Sequence, residues 1–79
     1  MFSQIQKYQE AVKSYNQAIA IKNDYTDAWN NRGVSLIELQ HYQEAINSFE
    51  QGIKVKPDYA DAWNNRGVCL AKFKNIKRQ

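Results

Sequence analysis

The side chains best suited to catalysis in this sequence are a single histidine, a single cysteine and two aspartates at matching positions. His41 lacks the neighbouring ligands or bases that a metal site or a histidine-based catalytic group requires. Cys69 is the only cysteine, which excludes an internal disulfide and favours a reducing compartment, the cytoplasm. Asp27 and Asp61 resemble a carboxylate pair, but equivalent positions at two helix starts explain them better. We expect no catalytic residue, no metal and no cofactor.

Two adjacent pairs of asparagines carry binding chemistry instead. Asn30 and Asn31 form the first pair, and Asn64 and Asn65 form the second. A side-chain amide offers both a donor and an acceptor, so it can pair with the backbone of an extended peptide without reading the peptide's sequence. Such asparagines could therefore contact a peptide backbone, or they could serve solubility alone.

A long internal repeat positions these side chains. Residues 27–34 are identical to residues 61–68, and 20 of the 45 pairs of residues separated by 34 positions are the same. A fixed period of this length is the signature of stacked supersecondary units, each of which buries its apolar face against its neighbours.

The period and the spacing within it resemble the tetratricopeptide repeat. The residues that carry the resemblance are Trp29, Arg32, Gly33, Leu36, Ala45, Phe49 and Pro57, followed by Trp63, Arg66, Gly67 and Leu70. Arg32 and Arg66 depart from the family pattern, which usually has Leu there. The glycine usual at the turn inside each repeat is replaced by Gln6, Gln40 and Lys74.

This resemblance implies an all-α fold of antiparallel helix-turn-helix repeats, stacked as a short right-handed solenoid. One domain would cover residues 1–79, with a partial repeat at 1–25, a complete repeat at 26–59 and a partial repeat at 60–79. The register predicts helices at about 8–22, 26–40, 42–55 and 60–74. Phe2 and Ile5 would end an earlier helix, and residues 76–79 would begin a later one.

Local signals predict where these helices begin and end. Asp24 and Asp58 are predicted N-caps, while Asp27 and Asp61 face the positive helix end. Pro57 lacks an amide hydrogen and ends the preceding helix. We expect His41 to lie at a helix-to-helix turn, since histidine tolerates the left-handed conformation better than most residues.

The aromatic residues recur at helical spacing, which predicts a core between repeats rather than a stacking platform for bases or sugars. Gly33 is expected opposite Ala45, where it permits close helix approach. Arg32 and Arg66 would lay their stems along the apolar stripe, with guanidinium groups near Glu10 or Glu44. The predicted core aromatics are Tyr8, Trp29, Tyr42, Phe49 and Trp63.

The resemblance also implies a concave groove lined by the first helix of each pair. Its residues would be Asp27, Asn30, Asn31, Val34, Asp61, Asn64, Asn65 and Val68. This set looks like the asparagine ladder in the repeat region of the O-linked N-acetylglucosamine transferases. It departs from the carboxylate clamp of cochaperones, because two aspartates lie near the place where that clamp needs a lysine.

These observations predict a non-catalytic protein–protein interaction module, or scaffold, that binds an extended peptide or a partner helix. The alternative is a structural solenoid segment that stacks head-to-tail on copies of itself. Without a turn glycine, Gln40 and His41 could also straighten and allow helix exchange between chains.

The distribution of charge argues against nucleic-acid binding, which remains a third reading. The net charge is +3, but four of the eleven basic residues lie at 72–79, where no acid occurs. A nucleic-acid binder would be expected to spread its basic residues over a folded face, whereas we expect a frayed tail here. No apolar run approaches the length of a membrane span.

Overall fold

Four helices make up the chain in a computed structural model that describes residues 3–78. Helix α1 covers Gln4–Ile21, α2 covers Thr26–Glu38, α3 covers Tyr42–Val55 and α4 covers Ala60–Arg78. Consecutive helices pack on one another, and α2 also contacts α4. The predicted all-α repeat architecture is confirmed. Phe2 and Gln79, used above to place helix ends, lie outside the described residues.

The two end helices are longer than predicted. Gln6 and Lys7 lie inside α1, and Lys74 and Asn75 lie inside α4, so the turns expected at both places were wrong. Gln6 instead completes a capping box in which the Ser3 hydroxyl accepts from the Gln6 amide at 3.2 Å. No glycine interrupts either helix there, and the basic residues 72–78 are helical rather than frayed.

Only the α2–α3 connection forms the predicted turn within residues 3–78. Gln40 adopts a φ of 63°, so the left-handed residue is Gln40 and not His41, whose φ is −92°. The His41 amide donates to the Leu36 carbonyl at 2.8 Å, and the Gln40 amide donates to the Ile37 carbonyl at 2.9 Å. These two bonds form a Schellman motif, which glycine usually terminates. The turn has not straightened.

At the starts of α2 and α4, tryptophan side chains bond the preceding loop, and Asp24 and Asp58 are not the N-caps that were predicted. Tyr25 is the N-cap of α2 and makes no side-chain cap bond, so the assignment of Asp24 was wrong. Asp58 likewise falls in the turn before α4. The Trp29 Nε1–H donates to the Asn23 carbonyl at 2.9 Å, and one period later Trp63 bonds Pro57 in the same way. Each ring thus ties the loop to its helix.

The core centres on Phe49, which is completely buried with Leu36, Ala45 and Cys69 around it. Phe49 is the nearest neighbour of Gly33, because a Cβ there would lie 2.5 Å from the ring. The prediction for Phe49 is confirmed.

The other predicted core aromatics are less buried. Tyr8, Trp29 and Tyr42 are half-buried, and Trp63 is 50% exposed, so its assignment to the core was wrong. Among residues 3–78 no helix covers the outer face of α4, where Trp63 lies.

Candidate functional site

Helices α2 and α4 are one period apart and lie side by side, which brings the two repeated sets of polar residues together. The Asn65 Nδ2 donates to Asn30 Oδ1 at 3.0 Å. The Tyr59 hydroxyl, just before α4, donates to Asp27 Oδ1 at 2.8 Å. These two bonds tie successive repeats to each other along the face on which the groove was predicted.

The predicted groove residues differ in how accessible they are. Asn30 is buried, with its carbonyl oxygen engaged by the half-buried Asn65. Val34 is 38% exposed and Val68 is 44% exposed, so the face carries apolar as well as polar surface. The remaining members of the predicted set are exposed, namely Asp27, Asn31, Asp61 and Asn64.

Tyr59 belongs to this face, although the analysis of the sequence overlooked it. Its burial, the hydrogen bond to Asp27 and the negative charges of Asp27 and Asp61 together raise the pKa of the phenol to about 12. The nearby Asn30 side chain acts on this pKa in the opposite direction. The phenol therefore stays neutral and donates to the carboxylate. Its recurrence as Tyr25 one period earlier was the signal that could have revealed it.

Both arginines of the apolar stripe connect helices rather than line the groove. Arg32 donates through Nε to Asn16 at 2.7 Å and through Nη1 to the Ser48 hydroxyl, and it lies 3.9 Å from Glu44 as predicted. Arg66 instead pairs with Glu50 at 3.1 Å.

Glu10, predicted as an arginine partner, lies 3.8 Å from Lys13 on the same helix. Each guanidinium also stands about 6 Å from the tryptophan ring three residues before it.

The remaining reactive side chains are placed where they do little chemistry. Burial raises the pKa of the Cys69 thiol, and Sγ donates to the Tyr42 carbonyl at 3.4 Å, so the protonated form is held in the core. His41 is exposed and 4.0 Å from Glu44. In residues 3–78 no three His, Cys, Asp or Glu side chains are grouped to hold a metal ion. No helix in the same range is apolar and long enough to cross a membrane.

A comparison with protein families finds the same repeat. A family model described as TPR repeat fits residues 1–40 and again residues 33–72. The two fits together span nearly the whole chain. A comparison with curated proteins found no significant match.

Proposed function

Because the chain belongs to the tetratricopeptide-repeat family, whose repeats generally mediate protein–protein interaction, we propose that it binds an extended peptide or partner helix along the face of α2 and α4. It does so as a non-catalytic module or scaffold. The observation that carries the proposal is the hydrogen bond between Asn65 and Asn30, which aligns two repeats so that their exposed polar side chains follow one another along the face.

The exposed amides supply the contacts to a peptide backbone. Asn31 and Asn64 present their full donor and acceptor capacity to solvent, whereas Asn65 keeps one N–H and its oxygen after bonding Asn30. Bonds to backbone groups give affinity that is independent of peptide sequence. Val34 and Val68 add apolar surface between the polar contacts. A modest sequence preference would arise from these two side chains.

The charge of the face selects against acidic partners. Asp27 and Asp61 both lie at this surface, and the neutral Tyr59 phenol does not compensate them. Two carboxylates repel an acidic peptide and favour neutral or basic ones.

An affinity titration with an array of unrelated extended peptides tests the proposal. Changing Asn31 and Asn65 together to Ala should weaken binding of all peptides by a similar factor, about 1–3 kcal/mol in total, because the lost bonds are to backbone groups. Asn47→Ala, which removes an exposed amide from α3, is the matched control and should leave affinity unchanged. Equal affinities for the double variant and the parent would refute the peptide groove.

Stacking of the chain on its own copies is the second candidate function. The half-exposed Trp63 on the outer face of α4 favours it, since the equivalent Trp29 is more buried and lies beside Gly52 of α3.

Weak nucleic-acid binding through the basic end of α4 is a third candidate, which the salt dependence of binding distinguishes from the first two. Affinity for an oligonucleotide would fall steeply with salt.

The single cysteine, buried and reduced, fits the cytoplasmic location we propose.

A further inference from the structure

Within the identical segments 27–34 and 61–68, the outer face of α4 has the same residues as the covered face of α2. On α2, the Phe49 ring of α3 sits on Gly33, at 2.5–2.9 Å from where a Cβ would be. On α4, the same position on Gly67 has no atom within 4 Å. The two glycines occupy equivalent places in identical segments. The surface at Gly67 therefore has space for an aromatic ring, as Gly33 has for Phe49.

Helix α1 carries, one period earlier, the residues with which α3 covers α2. Phe49 packs on Gly33, Ser48 accepts a bond from Arg32, and Glu44 lies beside the same guanidinium. The corresponding residues of α1 are Tyr15, Ser14 and Glu10.

At the position equivalent to Gly52 of α3, α1 has Ala18. A Cβ at Gly52 would stand 3.6 Å from the Trp29 Cβ, an ordinary contact. In the equivalent position, the methyl group of Ala18 would therefore fit beside the Cβ of Trp63.

An open cleft of about 270 Å³ between α1 and α2 is the surface complementary to the outer face of α4. Its lining includes Tyr15, Ala18, Tyr25 and Asn31. One period later the equivalent residues Phe49, Gly52, Tyr59 and Asn65 are the ones that contact α2. The cleft is thus the position that a helix with the sequence of α2 or α4 occupies elsewhere in the fold.

We propose that α4 of one copy docks in the α1–α2 cleft of a second copy, in the geometry that joins α2 to α3 and α4 within the chain. Tyr15 then seats on Gly67, and Arg66 reaches Ser14 and Glu10 while keeping Glu50. Such a contact joins different surfaces on the two copies, so it propagates into linear assemblies unless the rotation closes a ring.

Two inter-repeat bonds are repeated across the junction. Asn31 donates to Asn64 as Asn65 donates to Asn30, and Tyr25 donates to Asp61 as Tyr59 donates to Asp27.

The straight ends of α1 and α4 add to the same contact. Within the chain, α2 and α3 run antiparallel and are separated by the turn at Gln40. The end helices continue past that point, and the same antiparallel register places Ile76 of one copy opposite Ile5 of the next. Ile5 is 60% exposed and Ile76 is 49% exposed, so both side chains gain cover. This surface is separate from peptide binding except at Asn31, Asn64 and the aspartates.

Sedimentation over an approximately hundredfold concentration range tests the proposal with Gly67→Ala as the key variant. The added methyl group meets nothing in the isolated chain but fills the seat of the Tyr15 ring. The parent should associate, and the variant should associate at least tenfold more weakly with unchanged helicity. A monomeric parent, or a variant that associates as the parent does, overturns the proposal; the latter result is the one expected of helix exchange at Gln40-His41.

Mixing Gly67→Ala, in which the α4 surface is blocked, with Ser14→Arg, in which the α1–α2 cleft is blocked, tests the head-to-tail direction. Ser14→Arg places a like charge and extra bulk opposite Arg66 at an exposed position of α1. At a concentration at which the parent associates, each variant alone should remain largely monomeric. An equimolar mixture should form mainly a one-to-one dimer and grow no further, because each partner retains one intact surface. A mixture that remains monomeric contradicts the contact. Peptide titration of Gly67→Ala separates this failure from failure of the peptide groove, since that variant leaves all eight predicted groove residues unchanged.

Discussion

The ring of Phe49 lies directly on Gly33, so close that a Cβ on the glycine would approach ring atom Cε1 to 2.5 Å. This contact joins α2 to α3 and lies at the centre of the buried cluster. The identical segment of α4 presents Gly67 with nothing in contact. The same eight-residue sequence therefore occupies two environments. Substitution of Gly33 and substitution of Gly67 should have opposite effects on stability.

Gly33→Ala should destabilise the fold, while Gly67→Ala should stabilise it. Overpacking against a fully buried ring costs about 1–3 kcal/mol. In the exposed helix the same change gains up to about 1 kcal/mol of helix propensity. Urea unfolding at low protein concentration measures both. Equal effects at the two sites would mean that Phe49 does not rest on Gly33.

Gln40→Gly should stabilise the chain by about 1 kcal/mol, because the left-handed conformation costs a residue with a Cβ about that much. The matched control is Lys74→Gly, one period later and inside α4. It should destabilise by about 1 kcal/mol, as glycine does in a helix interior. Thermal melts of the two variants that shift in the same direction would contradict the assignment of turn and helix.

Phe49→Ala should cost about 3–5 kcal/mol, since the ring is completely buried. Trp63→Ala should cost about 1–2 kcal/mol in dilute solution, because half of its surface is already exposed. Denaturant midpoints of the two variants make the comparison. A Trp63 variant as damaged as the Phe49 variant would show that its ring is covered.

The stability of the chain should fall at alkaline pH through Tyr59. The folded state raises the pKa of this phenol from 10.0 to about 12, so it holds the proton more tightly than the unfolded state. The contribution is fully present below about pH 10 and is lost as pH rises towards about 12. Tyr59→Phe should flatten this part of the pH profile, because it removes the phenol whose pKa the folded state raises. Parallel alkaline profiles for parent and Tyr59→Phe would refute the effect.

Much of the fold followed from the sequence because the repeat period defines the packing. The identical segments at 27–34 and 61–68 fixed α2 and α4 as equivalent helices, and the family spacing placed Phe49 in the core. The extents of α1 and α4 were harder to predict. Turn formation at Gln40 depends on α3 packing back onto α2, whereas nothing in the described residues packs in that way beyond Lys74, so the helix continues.

The sequence predicted on which helices the candidate residues lie, but not their burial or their hydrogen bonds. The period placed all eight predicted groove residues on equivalent helices, yet it did not reveal that Asn65 would bond Asn30 or that Asn30 would be buried. That bond joins side chains 35 positions apart, and it depends on how closely α2 and α4 approach. The Tyr59 bond to Asp27 escaped for the same reason, since spacing alone does not show which polar side chains meet between repeats.

The most direct test of the proposed function is nitrogen-15 nuclear magnetic resonance of Gly67→Ala, in which peptide binding is free of competition from stacking. Neutral and basic extended peptides should shift the side-chain amide signals of Asn31 and Asn64 and leave Asn47 on α3 unmoved. Acidic peptides should produce weaker shifts, because Asp27 and Asp61 repel them. Shifts confined to α1 and α3, or the absence of any shift with every peptide, would contradict binding along the face of α2 and α4.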